Sequence, residues 1–151
     1  MQFNDWLRCL FAVVGLAVGA QGAASSPGPE ERTLSAAAGC VTSMIAILKS
    51  NAELRGLRGA SDLQLQLRTV AIHELRMNRA GLQQFVADLP PGGAPARALV
   101  RFLERWTDDA IPAAFDAAPD APDGLDADLS RLSKALPRSR NWRTPFPIFR
   151  P

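Results

Sequence analysis

The amino-acid sequence predicts an all-α fold, a small bundle of about four helices with Pro/Gly-rich connections and an extended C-terminal tail. Apolar residues recur at intervals of three, four and seven along most of the chain, which is the period of an amphipathic helix. Clusters of proline and glycine separate the periodic segments. No segment combines β-branched residues with the strict alternation of a strand. The bundle domain is predicted to span residues 33–137.

The first helix is predicted at about residues 34–54. Its apolar stripe repeats every seven residues and consists of Leu34, Val41 and Leu48. No charged residue lies between the first and last of these, so much of this helix should be buried. The hydroxyl of Thr33 or Ser35 can accept hydrogen bonds from the first backbone amides and cap the helix.

The second helix begins with an ambiguous segment. Residues 62–68 alternate polar and apolar side chains as a strand does, but leucine, glutamine and arginine favour helix. Ser61 can cap the start, and Pro90 ends the helix. Asn78 and Gly81 predict a break or kink inside it. The predicted apolar face, from which Leu65 and Ile72 are displaced, consists of Val70, Ala71, Leu75, Leu82, Phe85, Val86 and Leu89.

The third helix is predicted from Pro95 to about Trp106. Proline suits a first helical turn, where its missing N–H is not needed. The apolar side of this helix should lie in the core and consists of Leu99, Phe102, Leu103 and Trp106. A short helix should follow, with Thr107 or Asp109 as its cap and Pro112 in its first turn.

The last helix should have Asp123 as its cap and end at Pro137. Acids in its first turn and bases near its end complement the helix dipole. Its apolar side consists of Leu125, Leu129, Leu132 and Leu136. Residues 138–151 show no helical period and are predicted to form an extended tail. The candidate binding residues of this tail are Arg138, Arg140, Trp142, Arg143, Phe146 and Phe149.

The aromatic rings of the tail should avoid water, and two arrangements would achieve this. The tail could pack on its own bundle, where the eight carboxylates of residues 104–128 offer the charge to attract its arginines. Alternatively it could dock on another molecule, because arginine and aromatic residues are enriched at protein interfaces. Both arrangements remain open on the sequence.

The N-terminus has the order of a secretory signal peptide, predicted at residues 1–24. Arg8 precedes an uncharged apolar run at residues 9–20, and small residues follow this run. The run is too short to cross a membrane, which requires roughly 20 apolar residues. Residues 25–32 should form a linker, and the remaining chain should be exported to the periplasm or secreted.

Cleavage should leave an exported form that begins between Ala23 and Ser26, because the small residues after Ala20 suit a signal peptidase. N-terminal sequencing of the protein from the exported fraction of its native host measures this directly. Intact Met1 in a membrane fraction would instead indicate an uncleaved anchor.

The composition argues against several classes of function. The formal net charge of +2 is too small for nucleic-acid binding through overall electrostatics. Cys9 lies in the predicted signal peptide, so the exported part keeps only Cys40 and cannot form an internal disulfide. One cysteine and one histidine cannot supply the usual zinc ligands, and the acids around Gly124 lack the spacing of a calcium loop. We therefore expect neither a metal nor a cofactor.

Two catalytic arrangements are conceivable, and each has a simpler explanation. Cys40 and His73, the single histidine, would form a thiol–imidazole dyad if they lay within hydrogen-bond reach. A buried thiol and a surface imidazole explain the same two residues. Glu74 falls on the apolar side of the second helix, where burial could give its carboxyl group acid–base character. A bend in the helix or a pairing with arginine explains its position as well.

The sequence therefore predicts an exported protein without catalytic activity that acts through a protein partner, as an adaptor, inhibitor, immunity factor or assembly chaperone. A second hypothesis is an envelope-surface protein whose tail binds anionic lipid. A third is a small-ligand-binding bundle or an unrecognised hydrolase centred on Glu74.

Overall fold

The computed structural model describes residues 26–136, and the regular elements in this range are all helical, which confirms the all-α prediction. The predicted signal peptide at 1–24 and the tail at 138–151 lie outside the described residues. A 3-10 turn, Ala52–Leu54, follows the first helix. The α-helices are α1 Pro29–Ser50, α2 Asp62–Asp88, α3 Ala94–Arg105, α4 Ile111–Asp116 and α5 Leu125–Ala135.

The four longer helices enclose one core. α1 packs along α2 and α5, and α3 packs along the same two helices, so α1 and α3 are diagonal to each other. The short α4 packs against α2. Short connections place successive helices side by side, as in other small bundles.

α1 begins at Pro29, four residues before the predicted start of the bundle. Proline suits the first turn, and two glutamates in that turn complement the helix dipole. The predicted linker at 25–32 is therefore helical from Pro29 onwards. Thr33 lies inside the helix and donates its hydroxyl hydrogen to the carbonyl oxygen of Pro29 at 3.1 Å. Since Ser35 also lies inside α1, both predicted caps are wrong.

Among the described residues, α1 is the helix long and apolar enough to span a membrane by its length and composition. A signal sequence near an N-terminus and a core helix of a bundle share these properties. The side of α1 that packs into the core consists of Leu34, Ala37, Val41, Met44 and Leu48.

Residues 62–68, in which polar and apolar side chains alternate, are helical and form the start of α2. Ser61 caps it as predicted: its hydroxyl accepts a hydrogen bond from the backbone N–H of Gln64, and the Gln64 side chain accepts one from the N–H of Ser61 at 3.1 Å. The helix then continues unbroken, so of the predicted break or kink at Asn78 and Gly81, the break is wrong. Asn78 donates to the carbonyl oxygen of Glu74 at 2.9 Å, within the regular helix.

The later helices have the predicted extents but not the predicted caps. α3 has Pro95 in its first turn and ends at Arg105. α4 begins after Ala110 and α5 after Gly124, and neither has a side-chain cap. Backbone turns occupy these positions instead, as where the N–H of Gly124 donates to the carbonyl oxygen of Ala121 at 2.9 Å. The caps predicted from the sequence and absent here are Thr107, Asp109 and Asp123.

The core differs from the predicted one at several positions. Phe115 of α4 is a large, fully buried side chain that the periodicity did not select. Trp106, expected in the core, is half-buried at its edge, where its indole N–H donates to a carboxylate oxygen of Asp128 at 2.9 Å. Ile72 is buried because α2 packs against α4 as well as α1, whereas Val70, expected on the buried face, is exposed.

Two arginines tie helix ends to the rest of the bundle. Arg79 of α2 donates to the carbonyl oxygen of Trp106 at the end of α3. Arg55, after the 3-10 turn, donates to the carbonyl oxygen of Phe115 at 2.7 Å and forms a two-pronged pair with Asp126 at 2.9 and 3.2 Å. Because the last carbonyls of a helix lack partners within it, these arginines cap α3 and α4.

Asp116 forms a further ion pair with Arg68. Hydrogen bonding from Arg68 holds the pKa of Asp116 below its ordinary value, and the N–H of Gly56 contributes in the same direction. The unfolded chain therefore takes up this proton at a higher pH than the folded one. The pair stabilises the fold above the ordinary aspartate pKa, and the stabilisation is lost as the pH falls through the lowered value.

We expect Asp116→Asn to lower the urea midpoint near neutral pH, with a difference from the parent that shrinks as the solution becomes acidic. The effect should be modest, since the pair is partly exposed. Urea titrations at several pH values measure it. A difference of the same size at every pH would show that Asp116 contributes through packing and not through charge.

Candidate interaction surface

The first part of α2 protrudes from the bundle. Between Ser61 and Val70 every residue is exposed except Arg68, which is half-buried, and Ala71 is the first buried residue. At about 1.5 Å per residue, residues 62–70 make about 13 Å of helix that the described chain hardly covers. The capping box at Ser61 and the good helix formers after it keep this end helical without burial.

Four large apolar side chains form an exposed row along this helix, named the α2 stripe below. With the half-buried Glu74 they follow intervals of four, three, four and three residues, the a and d pattern of a helix that packs on another helix. Leu65 is exposed too, but helical geometry places it on the opposite side. The α2 stripe consists of Leu63 (65% exposed), Leu67 (48%), Val70 (53%) and Met77 (59%).

The α2 stripe is in line with the contact between α2 and α1. Gly81 lies four residues after Met77 on the same side of α2, and a Cβ atom built on it would lie 3.2 Å from the Sγ of Cys40. This close approach is what the glycine allows. The stripe therefore starts at the edge of the α1–α2 interface and runs outwards to the start of the helix.

Polar contacts hold the other side of α2. Arg68 pairs with Asp116 at the end of α4, and Arg76 donates to the carbonyl oxygen of Asp108 at 2.9 Å. By helical geometry both arginines lie roughly opposite the stripe. These contacts fix α2 in place while the stripe faces solvent. An exposed row of large apolar side chains is typical of an interaction site.

The α2 stripe differs from the surface that the sequence predicts. The apolar pattern places Val70 on the buried face, and Leu63 and Leu67 lie in the ambiguous alternating segment. The signal that could have found them is the interval pattern from Leu63 to Met77, which runs beside the core face of the same helix. Spacing alone does not show whether α1 covers that row.

Of the other predicted sites, the candidate binding residues of the tail, Arg138 to Phe149, lie outside the described residues. In the acidic stretch 104–128, arginines of the bundle pair with four of the eight carboxylates, those of Asp108, Asp116, Asp126 and Asp128. The other four acids are exposed and are Glu104, Asp109, Asp120 and Asp123.

The structure does not bring Cys40 and His73 together. Cys40 packs at Gly81, which is eight residues and about 12 Å of helix from the exposed His73. Glu74 is half-buried within the line of the stripe instead of enclosed in a pocket of the core. Within residues 26–136, no three His, Cys, Asp or Glu side chains are grouped so that they could hold a metal ion.

Burial raises the pKa of the Cys40 thiol, so little of it is thiolate near neutral pH. We expect slow alkylation of the native protein, faster in denaturant or at alkaline pH, and unchanged by His73→Ala. Mass spectrometry of the peptide that contains Cys40 follows the reaction. Rapid labelling at neutral pH that His73→Ala abolishes would restore the dyad hypothesis.

Comparison of the chain with protein-family models, with curated proteins and with solved structures gives no match. The surface of the bundle therefore carries the indication of function. Its most distinctive feature within residues 26–136 is the α2 stripe on a protruding, well-capped helix.

Proposed function

We propose that this chain is an exported helical protein that binds another protein through the α2 stripe, as an adaptor, inhibitor, immunity factor or assembly chaperone. The observation that supports the proposal is the exposure of four large apolar side chains at helix-packing intervals. Transfer of apolar surface out of water is favourable by about 25 cal/mol per Å², before the entropic and desolvation costs of association are subtracted. A partner that covers the stripe gains this energy without rearranging the bundle.

The stripe suits one kind of partner in particular. Its intervals match an amphipathic helix that presents apolar residues at its own a and d positions. Glu74 lies between Val70 and Met77, and a purely apolar partner would bury its carboxylate without a counter-charge. The partner helix should therefore carry a lysine or arginine opposite Glu74, which would also help to select it.

The secretory order of residues 1–24 supports the location of this activity. We expect binding to occur in the periplasm or outside the cell, with a partner from the same compartment.

The test compares matched leucine-to-glutamine substitutions on opposite sides of one helix. Leu67→Gln removes a side chain of the stripe, whereas Leu65→Gln makes the same chemical change on the other side. Glutamine and leucine have similar helix propensities, so α2 should remain helical in both. We expect the parent and Leu65→Gln to capture the same protein from the exported fraction, and Leu67→Gln to lose most of that capture.

A lysine-to-glutamate or arginine-to-glutamate change in the identified partner, opposite Glu74, should weaken the complex, and Glu74→Lys should restore it. Equal loss of capture from Leu65→Gln and Leu67→Gln would contradict a role for the stripe. Stripe-dependent sedimentation with anionic liposomes, without any protein partner, would replace the proposal with the envelope-surface hypothesis.

A further inference from the structure

We infer that the tail, residues 138–151, docks on the α2 stripe of its own chain and covers it until a partner displaces it. The inference goes beyond the proposed function because it names an occupant for the stripe in the absence of any partner. Four properties support it: the length of the tail, the position at which the tail leaves the bundle, and the apolar character and the charge of the tail and the stripe.

The length of the tail matches that of the stripe. Residues 138–151 contain three prolines, which favour extended chain over helix. The seven steps of extended chain from Trp142 to Phe149 span about 23 Å at roughly 3.3 Å per step. The stripe from Leu63 to Met77 spans about 21 Å at about 1.5 Å per residue of helix. The three aromatic rings of the tail, Trp142, Phe146 and Phe149, can thus be distributed along the whole stripe.

The end of α5 lies within reach of the stripe. α5 starts beside Arg55, just beyond the C-terminal end of α1, and packs along α1, so it runs back towards the middle of that helix. Its eleven residues cover about 16 Å, which brings Leu136 near the level of Cys40. There Cys40 meets Gly81 at the inner end of the stripe. To reach the stripe from there, the tail has to cross only the outer side of α1, and one helix is about 10 Å wide.

Residues 137–141 are long enough for this crossing. The six steps from Leu136 to Trp142 extend to about 20 Å at roughly 3.3–3.6 Å per residue. The outer side of α1 between Arg32 and Lys49 carries no charge to repel the arginines of the tail. Many of its exposed side chains are small, among them Ala36, Thr42, Ser43 and Ala46.

Apolar character favours the stripe over the acidic stretch. Aromatic rings leave water only against other apolar surface. Within residues 104–128 the structure exposes no large hydrophobic side chain, and half of the carboxylates there already pair with arginines of the bundle. The α2 stripe, in contrast, supplies four exposed apolar side chains in one row.

Charge supports the same arrangement. Residues 26–136 contain twelve Arg and Lys and fourteen Asp and Glu, a formal charge of −2, whereas residues 137–151 contain four arginines and no acid. Glu74 lies within the stripe and offers a carboxylate to Arg140 or Arg143, the two arginines nearest Trp142. The tail thus has the chemistry expected of the external partner, an apolar row with a base opposite Glu74. The two should compete.

Tryptophan fluorescence tests the inference without any partner. Replacing Trp6 and Trp106 with phenylalanine leaves Trp142 as the only one of the three tryptophans. We expect its emission to shift to shorter wavelength and to resist acrylamide quenching, compared with a synthetic peptide of residues 138–151. Leu67→Gln should return both properties towards those of the peptide. The matched Leu65→Gln should leave them unchanged, and neither property should depend on protein concentration.

Three results would overturn the inference: emission of Trp142 equal to that of the peptide, protection that Leu67→Gln does not reduce, or protection that appears only at high protein concentration. The last would indicate a second copy on the stripe. A second measurement avoids the Trp106 replacement: in the otherwise natural chain, Trp142→Ala with Phe146→Ala should increase binding of an apolar dye, and no increase would count against docking. If the tail docks on the stripe but no partner protein is captured, only the proposed function is refuted. If a partner is captured and the tail has no effect on that capture, only the inference is refuted.

Discussion

Phe115→Ala should lower the free energy of unfolding by about 3–5 kcal/mol, the range found when a large aromatic is removed from a core. The side chain is fully buried, and the six-residue α4 that carries it has no other large anchor except Ile111. The guanidinium of Arg55 also lies 5.9 Å from the centre of its ring. A loss of this size is a large fraction of the stability of an ordinary domain, about 5–15 kcal/mol.

Urea denaturation followed by circular dichroism measures the change. Phe115→Leu, which keeps most of the volume, should cost clearly less than Phe115→Ala. Val100→Ala, at an exposed position on α3, should stay within about 0.5 kcal/mol of the parent. If Phe115→Ala behaved like Val100→Ala, α4 would not be part of the cooperative core.

Arg55→Ala should lower the free energy of unfolding by about 3 kcal/mol, the lower end of the range for breaking a buried pair. The side chain of Arg55 is only 6% exposed, whereas Asp126 is 28% exposed and can recover some hydration. The substitution leaves the carboxylate of Asp126 without its counter-charge. It also removes the donor to the carbonyl oxygen of Phe115 at the end of α4.

A double-mutant cycle with Asp126→Asn isolates the pair. Removing both partners should cost less than the sum of the single changes, because the orphaned charge is then absent. Arg58→Ala, on an exposed arginine three residues away, is the control for general loss of positive charge. Equal effects of Arg55→Ala and Arg58→Ala would show that the pair with Asp126 does not stabilise the fold. Since Arg55 and Phe115 are neighbours, their effects should not add.

The helices themselves could be predicted from local properties of the chain. The seven-residue repeat of Leu34, Val41 and Leu48 and the row of leucines from Leu125 to Leu136 both face the core as expected. Ser61 caps α2 because a serine followed three residues later by glutamine can satisfy two backbone amides within one turn. These features depend on residues that are close in sequence, so the sequence alone reveals them.

Interactions across the fold account for the wrong predictions. Gly81 resembles a helix breaker locally, yet α2 is unbroken there, and the missing side chain leaves room for Cys40 of α1. Phe115 sits on a helix too short to show a period, and its burial comes from elements distant in sequence. Asp116 and Asp126 belong to the acidic stretch 104–128, and their partners are Arg68 and Arg55, some fifty to seventy residues earlier in the chain.

The sequence by itself determined that this chain is helical, where most of its helices lie, and which leucines form the core of the last one. Only the tertiary structure decided which apolar residues stay in water. Helical periodicity assigns Leu67, Val70 and Met77 to one side of α2, but burial depends on whether another element lies over that side. α1 approaches α2 closely at Gly81, whereas the start of α2 extends beyond that contact, so the α2 stripe is left exposed.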